Sequence, residues 1–370
     1  MRELAETTAV AFYLPQYHPI PENDAWWGPG FTEWTNVARA RPQFRGHYQP
    51  HLPADLGFYD LRVPEVRDRQ AELAISAGLG GFAYYHYWFN GHRLLERPMD
   101  EILCTKKPDF PFLLVWANEN WTRGWNGGDN EILMEQRYSL TDDLAHIRAL
   151  RPALCDDRYL CHDGKPVLAV YRSARLPDPV ATTDIWRREA EHWGLPGLYL
   201  LRIESAAETG DPRPIGFDAA VEFQPHSAMA SLPGHSLWKF VVRRRVRRLS
   251  SRYSHHVWRY QDLASRAMTA ALPDYPRWPG VTPGFDNSPR RRRDAVIFVG
   301  QSPQVYQQWL SEALRRSNEV AHRYEGHSRG VVFINAWNEW GEGNHLEPDA
   351  RFGQAFLHAT KAAIAFGASA

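Results

Sequence analysis

The amino-acid sequence predicts an α/β fold, a (β/α)8 TIM barrel with extended βα loops, on three observations. Short apolar, β-branched or aromatic runs alternate with helical patterns along the 370 residues, the signature of βα units around a parallel sheet. Polar and aromatic clusters follow the C-terminal ends of those runs, and in a barrel all such ends converge on the face where active sites are built. No glycine-rich phosphate loop follows the first run, as a doubly wound open sheet would normally show.

The elements follow in order. Val10–Leu14 is the first expected strand, leading into Pro15-Gln-Tyr-His18. A long polar and aromatic loop then precedes a helix from about Pro64 to Ala77, apolar at Val66, Leu73 and Ala74, with Gly78 at its C-cap. Gly81–Tyr85 and Phe112–Trp116 read as the second and third strands, running into His86-Tyr-Trp88 and Ala117-Asn-Glu-Asn-Trp121. Val167–Tyr171, Leu198–Arg202 and Ala219–Phe223 make the next three, the fifth followed by Glu204. A faintly patterned seventh lies between Trp278 and Phe285, and Val331–Asn335 is the eighth, with helices near Val305–Glu319 and Gly353–Ala365 on either side. One barrel domain over residues 1–370 is expected, with an insertion at about 226–276.

Composition narrows the function. Lys plus Arg and Asp plus Glu are equal at 43 each, so no overall field points to nucleic acid. Aromatic residues make up 13% of the chain and include 15 Trp. Flat apolar faces beside Asn, Glu and His suit sugar rings, which stack on the aromatic while polar groups read the hydroxyls; a Trp-rich core is the bland alternative. Cys104, Cys155 and Cys161 show no metal-ligand pairing and read as reduced thiols. The first eight residues lack an apolar signal core, and no run reaches eighteen apolar residues. A cytoplasmic protein is the expectation, with the inner membrane face as the alternative place. Two basic runs, Arg243–Arg252 within the insertion and Arg290–Arg293, read as solvated faces or as docking sites for an anionic membrane surface.

Asn338-Glu-Trp-Gly-Glu-Gly343 carries the chemistry. Glu339 lies at the mouth end of the eighth strand, and Gly341 and Gly343 let the backbone turn so that Glu342 faces the same cavity. Fully extended, the two carboxylates stand roughly 10 Å apart, and a turn brings them within about 5–6 Å. Glycoside hydrolysis needs such a pair, one carboxyl protonating the departing oxygen and one ionised. A salt bridge to a rim Arg is the structural alternative, and Glu119 with Glu339 is the rival pair. Candidates for contact with substrate at the strand ends are Gln16, His18, Tyr85, His86, Trp88, Asn118, Glu119, Trp121, Glu204, Glu222, Asp286, Asn287, Trp337, Asn338 and His345. The spacing of His18, His86 and His345 matches no regular metal motif, so no metal or other cofactor is expected.

Five segments carry a resemblance: Ala11-Phe-Tyr-Leu-Pro-Gln-Tyr-His18, Trp26-Trp-Gly-Pro-Gly-Phe-Thr-Glu-Trp34, Phe82-Ala-Tyr-Tyr-His-Tyr-Trp-Phe89, Trp116-Ala-Asn-Glu-Asn-Trp121 and Asn335-Ala-Trp-Asn-Glu-Trp-Gly-Glu-Gly343. Together they resemble the WbsX-type proteins of bacterial surface-polysaccharide loci, which are similar in turn to glycoside hydrolase family 99. The resemblance implies retaining chemistry. Glu339 would be the base that deprotonates the sugar 2-hydroxyl to give a 1,2-anhydro intermediate, and Glu342 the acid/base for the leaving oxygen. It also implies an aromatic −1 subsite from residues such as Tyr13, Tyr85, Trp88 and Trp116, and a substrate of α-manno or deoxyhexose configuration. Hydrolysis of a bacterial surface polysaccharide or oligosaccharide is the expected function. Glycosyl transfer in O-antigen or capsular polysaccharide biosynthesis is the first alternative, and a non-catalytic sugar-binding component the second.

Overall fold

The computed structural model describes residues 1–4, 9–123, 128–205, 208–229, 232, 254–291 and 293–367. Eight parallel strand positions close into the expected barrel: β1 (Ala9–Tyr13), β2 (Gly81–Phe89), β3 (Phe112–Trp116), β4 (Lys165–Val170), β5 (Tyr199–Glu204), β6 (Ala219–Glu222), β7 (Arg277–Trp278 and Gly280–Val281) and β8 (Val332–Ile334). Their runs are nearly continuously buried, as parallel strands covered on both faces must be.

Closure depends on β7, the strand with the faintest sequence pattern. Pro279 interrupts it because proline lacks the N–H a ladder needs. The two halves serve different neighbours: Arg277–Trp278 pair with Ala220–Val221 of β6, and Gly280–Val281 with Phe333–Ile334 of β8. A Cβ on Gly280 would lie 1.8 Å from the Glu222 carbonyl oxygen, so only glycine admits this approach. β8 pairs in turn with β1 and completes the circle.

Helices pack outside. Two short ones, α1 (Pro21–Trp27) and α2 (Glu33–Arg39), occupy the long loop after β1. α3 (Pro64–Ser76), α4 (Arg97–Thr105), α5 (Leu140–Leu154) and α6 (Pro179–His192) follow β1 to β4 as crossovers. Ser139 and Asp178 cap α5 and α6 by accepting the backbone N–H three residues on. Between β5 and β6 the described residues hold only a 3-10 turn, Arg213–Ile215, where a helix is expected. α7 (Tyr260–Thr269), α8 (Pro303–Val320) and α9 (Ala355–Gly367) complete the outer layer.

Within residues 226–276, Tyr260–Thr269 forms α7, and His256–Arg259 pairs in parallel with Val296–Val299. The Arg243–Arg252 run lies outside the described residues. Among the described residues, no helix is long and apolar enough to cross a membrane. Inside the barrel, Phe12 meets Phe223 and Phe333 at ring-centroid distances of 5.3 and 5.8 Å and stacks on Tyr85 at 5.8 Å. These rings fill the interior beneath the mouth.

Candidate active site

A cavity of about 420 Å³ opens at the C-terminal ends of the strands. Period-two alternation decides which side chains reach it. Tyr85 and Tyr87 of β2 line the cavity, whereas His86 and Trp88, one residue out of phase, turn outward onto α5. There His86 Nε2 and His146 Nε2 sit 3.0 Å apart, and Trp88 Nε1 donates to Asp142 at 3.0 Å. After β3 the chain leaves the strand and Ala117, Glu119, Asn120, Trp121 and Thr122 all line the cavity, while Trp116, the last strand residue, is fully buried against His146 and Trp186. Asn118 bridges to the next strand end, donating to the Arg172 carbonyl at 2.9 Å and accepting from the Arg172 N–H at 2.8 Å.

Of the candidate substrate contacts, Gln16, Tyr85, Glu119, Trp121 and Asn287 therefore face the cavity together with Glu339 and Glu342. The remaining ones are placed elsewhere. Tyr13 donates to Gln70 of α3 at 2.7 Å behind the barrel wall. His18 is buried outside the cavity, and burial lowers its pKa to about 4. Glu204 accepts from Arg202, Tyr275 and Arg277 at 2.7–2.8 Å, and Glu222 lies 3.5 Å from Arg277. Asp286 is held by His47 and Gln49 at 2.6 and 2.7 Å. Trp337 is core, Asn338 binds the Leu14 backbone in both directions, and His345 stacks on Trp340 at 3.7 Å.

The two carboxylates lie on one loop. Asn338–Glu339 forms one arm of a small antiparallel pair with Asn344–His345, and Trp340–Glu342 make a 3-10 turn that ends at Gly343, φ 54°. Positive φ here is what a glycine tolerates most readily. The Glu342 carbonyl accepts the Asp286 N–H at 2.5 Å, tying the turn to the loop after β7.

What binds the pair is Arg290. Its Nη2 lies 2.9 Å from Glu339 Oε2, its Nη1 2.9 Å from Glu342 Oε1, and its Nε 2.8 Å from Glu33 Oε1 at the start of α2. The expectation that Arg290 belongs to a solvated basic run is corrected: its side chain is only 13% exposed, at the cavity wall. Three carboxylates round one guanidinium leave negative charge in excess. Burial, opposed by Arg290 but reinforced by Glu342 and Glu33, pushes the Glu339 carboxyl up to about 8. Burial raises Glu33 as well, against the pull of Arg290. Gly341 makes this crowding possible, because a Cβ there would lie 1.7 Å from Glu33 Oε1 and 2.8 Å from Arg290 Nε.

Sequence reasoning passed over Arg290, Glu33, Tyr87, Trp27, Tyr171 and His226. Four had a signal. Tyr87 shares parity with Tyr85, Arg290 follows Asp286-Asn287 at a strand end, and Trp27 and Glu33 lie in the Trp26–Trp34 segment that carries the resemblance. The rest of the lining is aromatic and polar in a mixture that suits a sugar ring: Trp27, Trp121, Tyr85, Tyr87 and Phe223 beside Gln16, Glu119 and Asn287.

Comparison with known proteins extends this picture. The family model described as Glycosyltransferase WbsX matches residues 9–360. The uncharacterized protein WxcX of Xanthomonas campestris pv. campestris strain B100 is 46% identical over 362 residues, and that of strain ATCC 33913 equally so. In both cases the alignment covers 98% of this chain and 50% of the relative, so the chain spans about half the length of the relatives it matches. Among solved structures, a glycoside hydrolase-like protein aligns with TM-score 0.58 at 14% identity, over 96% of this chain and 93% of its own. The GH99 endo-α-mannosidase from Bacteroides thetaiotaomicron aligns with TM-score 0.56 at 14% identity, over 98% and 97%. At such identity these likenesses show a shared barrel fold.

Proposed function

Since the chain belongs to the family described as Glycosyltransferase WbsX, we propose that it is a carbohydrate-active enzyme that cleaves α-linked manno-configured or deoxyhexose residues of a bacterial surface polysaccharide with retention. The observation that carries the reading is the placement of Glu339 and Glu342 on one guanidinium in the wall of an aromatic-lined cavity. Two carboxyls facing one sugar supply a base and an acid, and binding alone needs neither.

In the proposed reaction Glu339 removes the proton from the sugar 2-hydroxyl, and O2 attacks C1 as the glycosidic C1–O bond breaks. Glu342 gives its proton to the departing oxygen. Water then adds to C1 of the 1,2-anhydro sugar, losing a proton to Glu342, while O2 recovers its proton from Glu339. A hydroxyl is a weak acid, so its base works best with a pKa near the operating pH. A Glu339 carboxyl pushed up to about 8 is, once ionised, a stronger base than one in the ordinary range, so turnover should rise with pH as it ionises. Arg290 holds both carboxylates in register and spreads positive charge between them as protons move.

Glycosyl transfer to a sugar acceptor instead of water is the second reading, favoured by the description of the matched family. Product analysis on aryl α-mannosides, aryl α-deoxyhexosides and surface polysaccharides tests the first. Retained anomeric configuration and loss of turnover in Glu339→Gln and Glu342→Gln are expected, and full activity in both variants would discard the pair. Calorimetry with nucleotide sugars separates the readings, since micromolar binding of a diphosphate sugar would favour transfer.

A further inference from the structure

Behind the carboxylate loop, away from the cavity lining, three side chains converge that the proposed reaction does not use. His51 comes from the loop between α2 and α3, while His345 and Asp349 come from the loop after β8. His51 Nδ1 and His345 Nε2 lie 2.9 Å apart, and His345 Nε2 and Asp349 Oδ2 3.8 Å apart. All three residues are buried, and their ligand atoms fall within 4.8 Å of one another. Around a tetrahedral zinc with Zn–N of about 2.0–2.1 Å, ligand atoms sit about 3.3 Å apart. The observed spacings bracket that value.

Hydrogen bonding sets the tautomer. His345 Nδ1 lies 3.0 Å from the Glu347 carbonyl oxygen, which can only accept, so Nδ1 carries the proton and Nε2 presents a lone pair. Asp349 is an acceptor as well, oriented through Oδ1 by the Arg351 and Phe352 N–H groups at 2.9 and 2.5 Å. His51 Nε2 has no hydrogen-bond partner among the described residues. A proton on His51 Nδ1 would bond to His345, and either tautomer leaves Nε2 buried and unpaired. A proton on Nε2 turns the Nδ1 lone pair inward, beside two others.

We propose that His51, His345 and Asp349 bind a divalent transition-metal ion such as zinc, with solvent completing the shell, and that the ion fastens the carboxylate loop to the loop between α2 and α3. Two neutral imidazoles and one carboxylate are a donor set zinc accepts and magnesium does not favour. No regular spacing along the chain announces the set, because His51 and His345 stand 294 residues apart. This site does not depend on the reaction proposed above.

The test uses the full chain without an affinity tag, stripped with chelator, reloaded with zinc, desalted and assayed by elemental analysis. One zinc per chain is expected, with a rise in Tm on adding zinc but not magnesium. His51→Ala and Asp349→Asn should each weaken zinc at least tenfold in competition with a chromophoric chelator. Asn at 349 keeps the oxygen that caps Arg351 and Phe352, so its loss of affinity reports on ligation and not on the turn. A second cluster, His162, Asp163 and His327, supplies the control, and His327→Ala should leave the zinc in place. Wild type that retains no zinc overturns the proposal, as does zinc that survives His51→Ala or departs with His327→Ala. Should His51→Ala fail to fold, X-ray absorption on zinc-loaded wild type decides: a first shell without imidazole scattering also overturns it.

Discussion

Two arginine–carboxylate clusters sit near the mouth of this barrel and differ in one respect, their charge balance. Around β5 to β7, Arg202 and Arg277 face Glu204 and Glu222, two cations for two anions, with the Tyr275 hydroxyl donating to Glu204 at 2.7 Å. At the cavity, among the described residues, Arg290 alone is ion-paired to Glu33, Glu339 and Glu342. A balanced buried cluster ties strands together. An unbalanced one has to hold a proton or bear uncompensated charge, and here burial first, then Glu342 and Glu33, push Glu339 up to about 8 against the pull of Arg290. Equal residue types thus serve different ends, and the count of acids against cations separates a clamp from a site able to move protons.

The largest expected effect is catalytic and belongs to the unbalanced cluster alone. Glu339→Gln and Glu342→Gln should each lower kcat by about 10²–10⁴-fold, the usual worth of a positioned acid or base. Glu204→Gln, in the balanced cluster, should leave kcat within a few-fold, and steady-state kinetics on one cleaved substrate compares all three. A kcat loss in Glu204→Gln equal to that in Glu339→Gln would erase the distinction.

Removing a cation comes next. Arg290→Met leaves three carboxylates without a partner and should cost about 3–5 kcal/mol, as should Arg277→Met at the other cluster. Denaturant unfolding at two pH values tells them apart. The Arg290→Met loss should shrink as pH falls below about 8, where Glu339 takes up its proton and no longer repels. A smaller loss, about 1–3 kcal/mol, is expected of Gly341→Ala, whose methyl must push Glu33 and Arg290 aside. Its Tm should fall while the β5–β7 cluster is undisturbed.

The gentlest effect is the slope of stability with pH. In the unfolded chain Glu339 loses its proton near the ordinary 4.5, whereas in the folded chain it keeps it to about 8. Across that window the native state holds the extra proton, so stability should fall as pH rises from about 4.5 to about 8. Glu33 and Glu347, both raised by burial, act in the same direction. Glu339→Gln should flatten the slope. Glu33→Gln, which removes one of the repelling charges, should lower the Glu339 pKa and move the basic-carboxylate limb of the pH–rate profile to lower pH.

Much of this was legible in the chain. Alternation of apolar runs with helical patterns, and polar residues after each strand, depend on neighbours within about ten residues and so can be read along the sequence. The same holds for the Asn338–Gly343 loop, whose glycines announce a turn that brings two carboxylates to one side. Local reading stops where parity is ignored: His86, Trp88 and Asn118 are expected at the mouth because they follow strands, and Trp116 because the resemblance implies it, although alternate residues of a strand must face opposite ways.

What the sequence by itself determined about this protein is the barrel, the end of it that carries the polar groups, and the identity of the paired carboxylates. Tertiary structure alone decided which cation they share. Arg290 meets Glu33 across 257 residues and Glu339 across 49, and His51 meets His345 across 294. Such meetings follow from barrel closure, which brings the loops after β1, β7 and β8 together at one rim, and no local periodicity encodes them. Excess charge arises only when these loops converge. The raised carboxyl of Glu339 is therefore a property of the assembled rim and not of the motif that contains it.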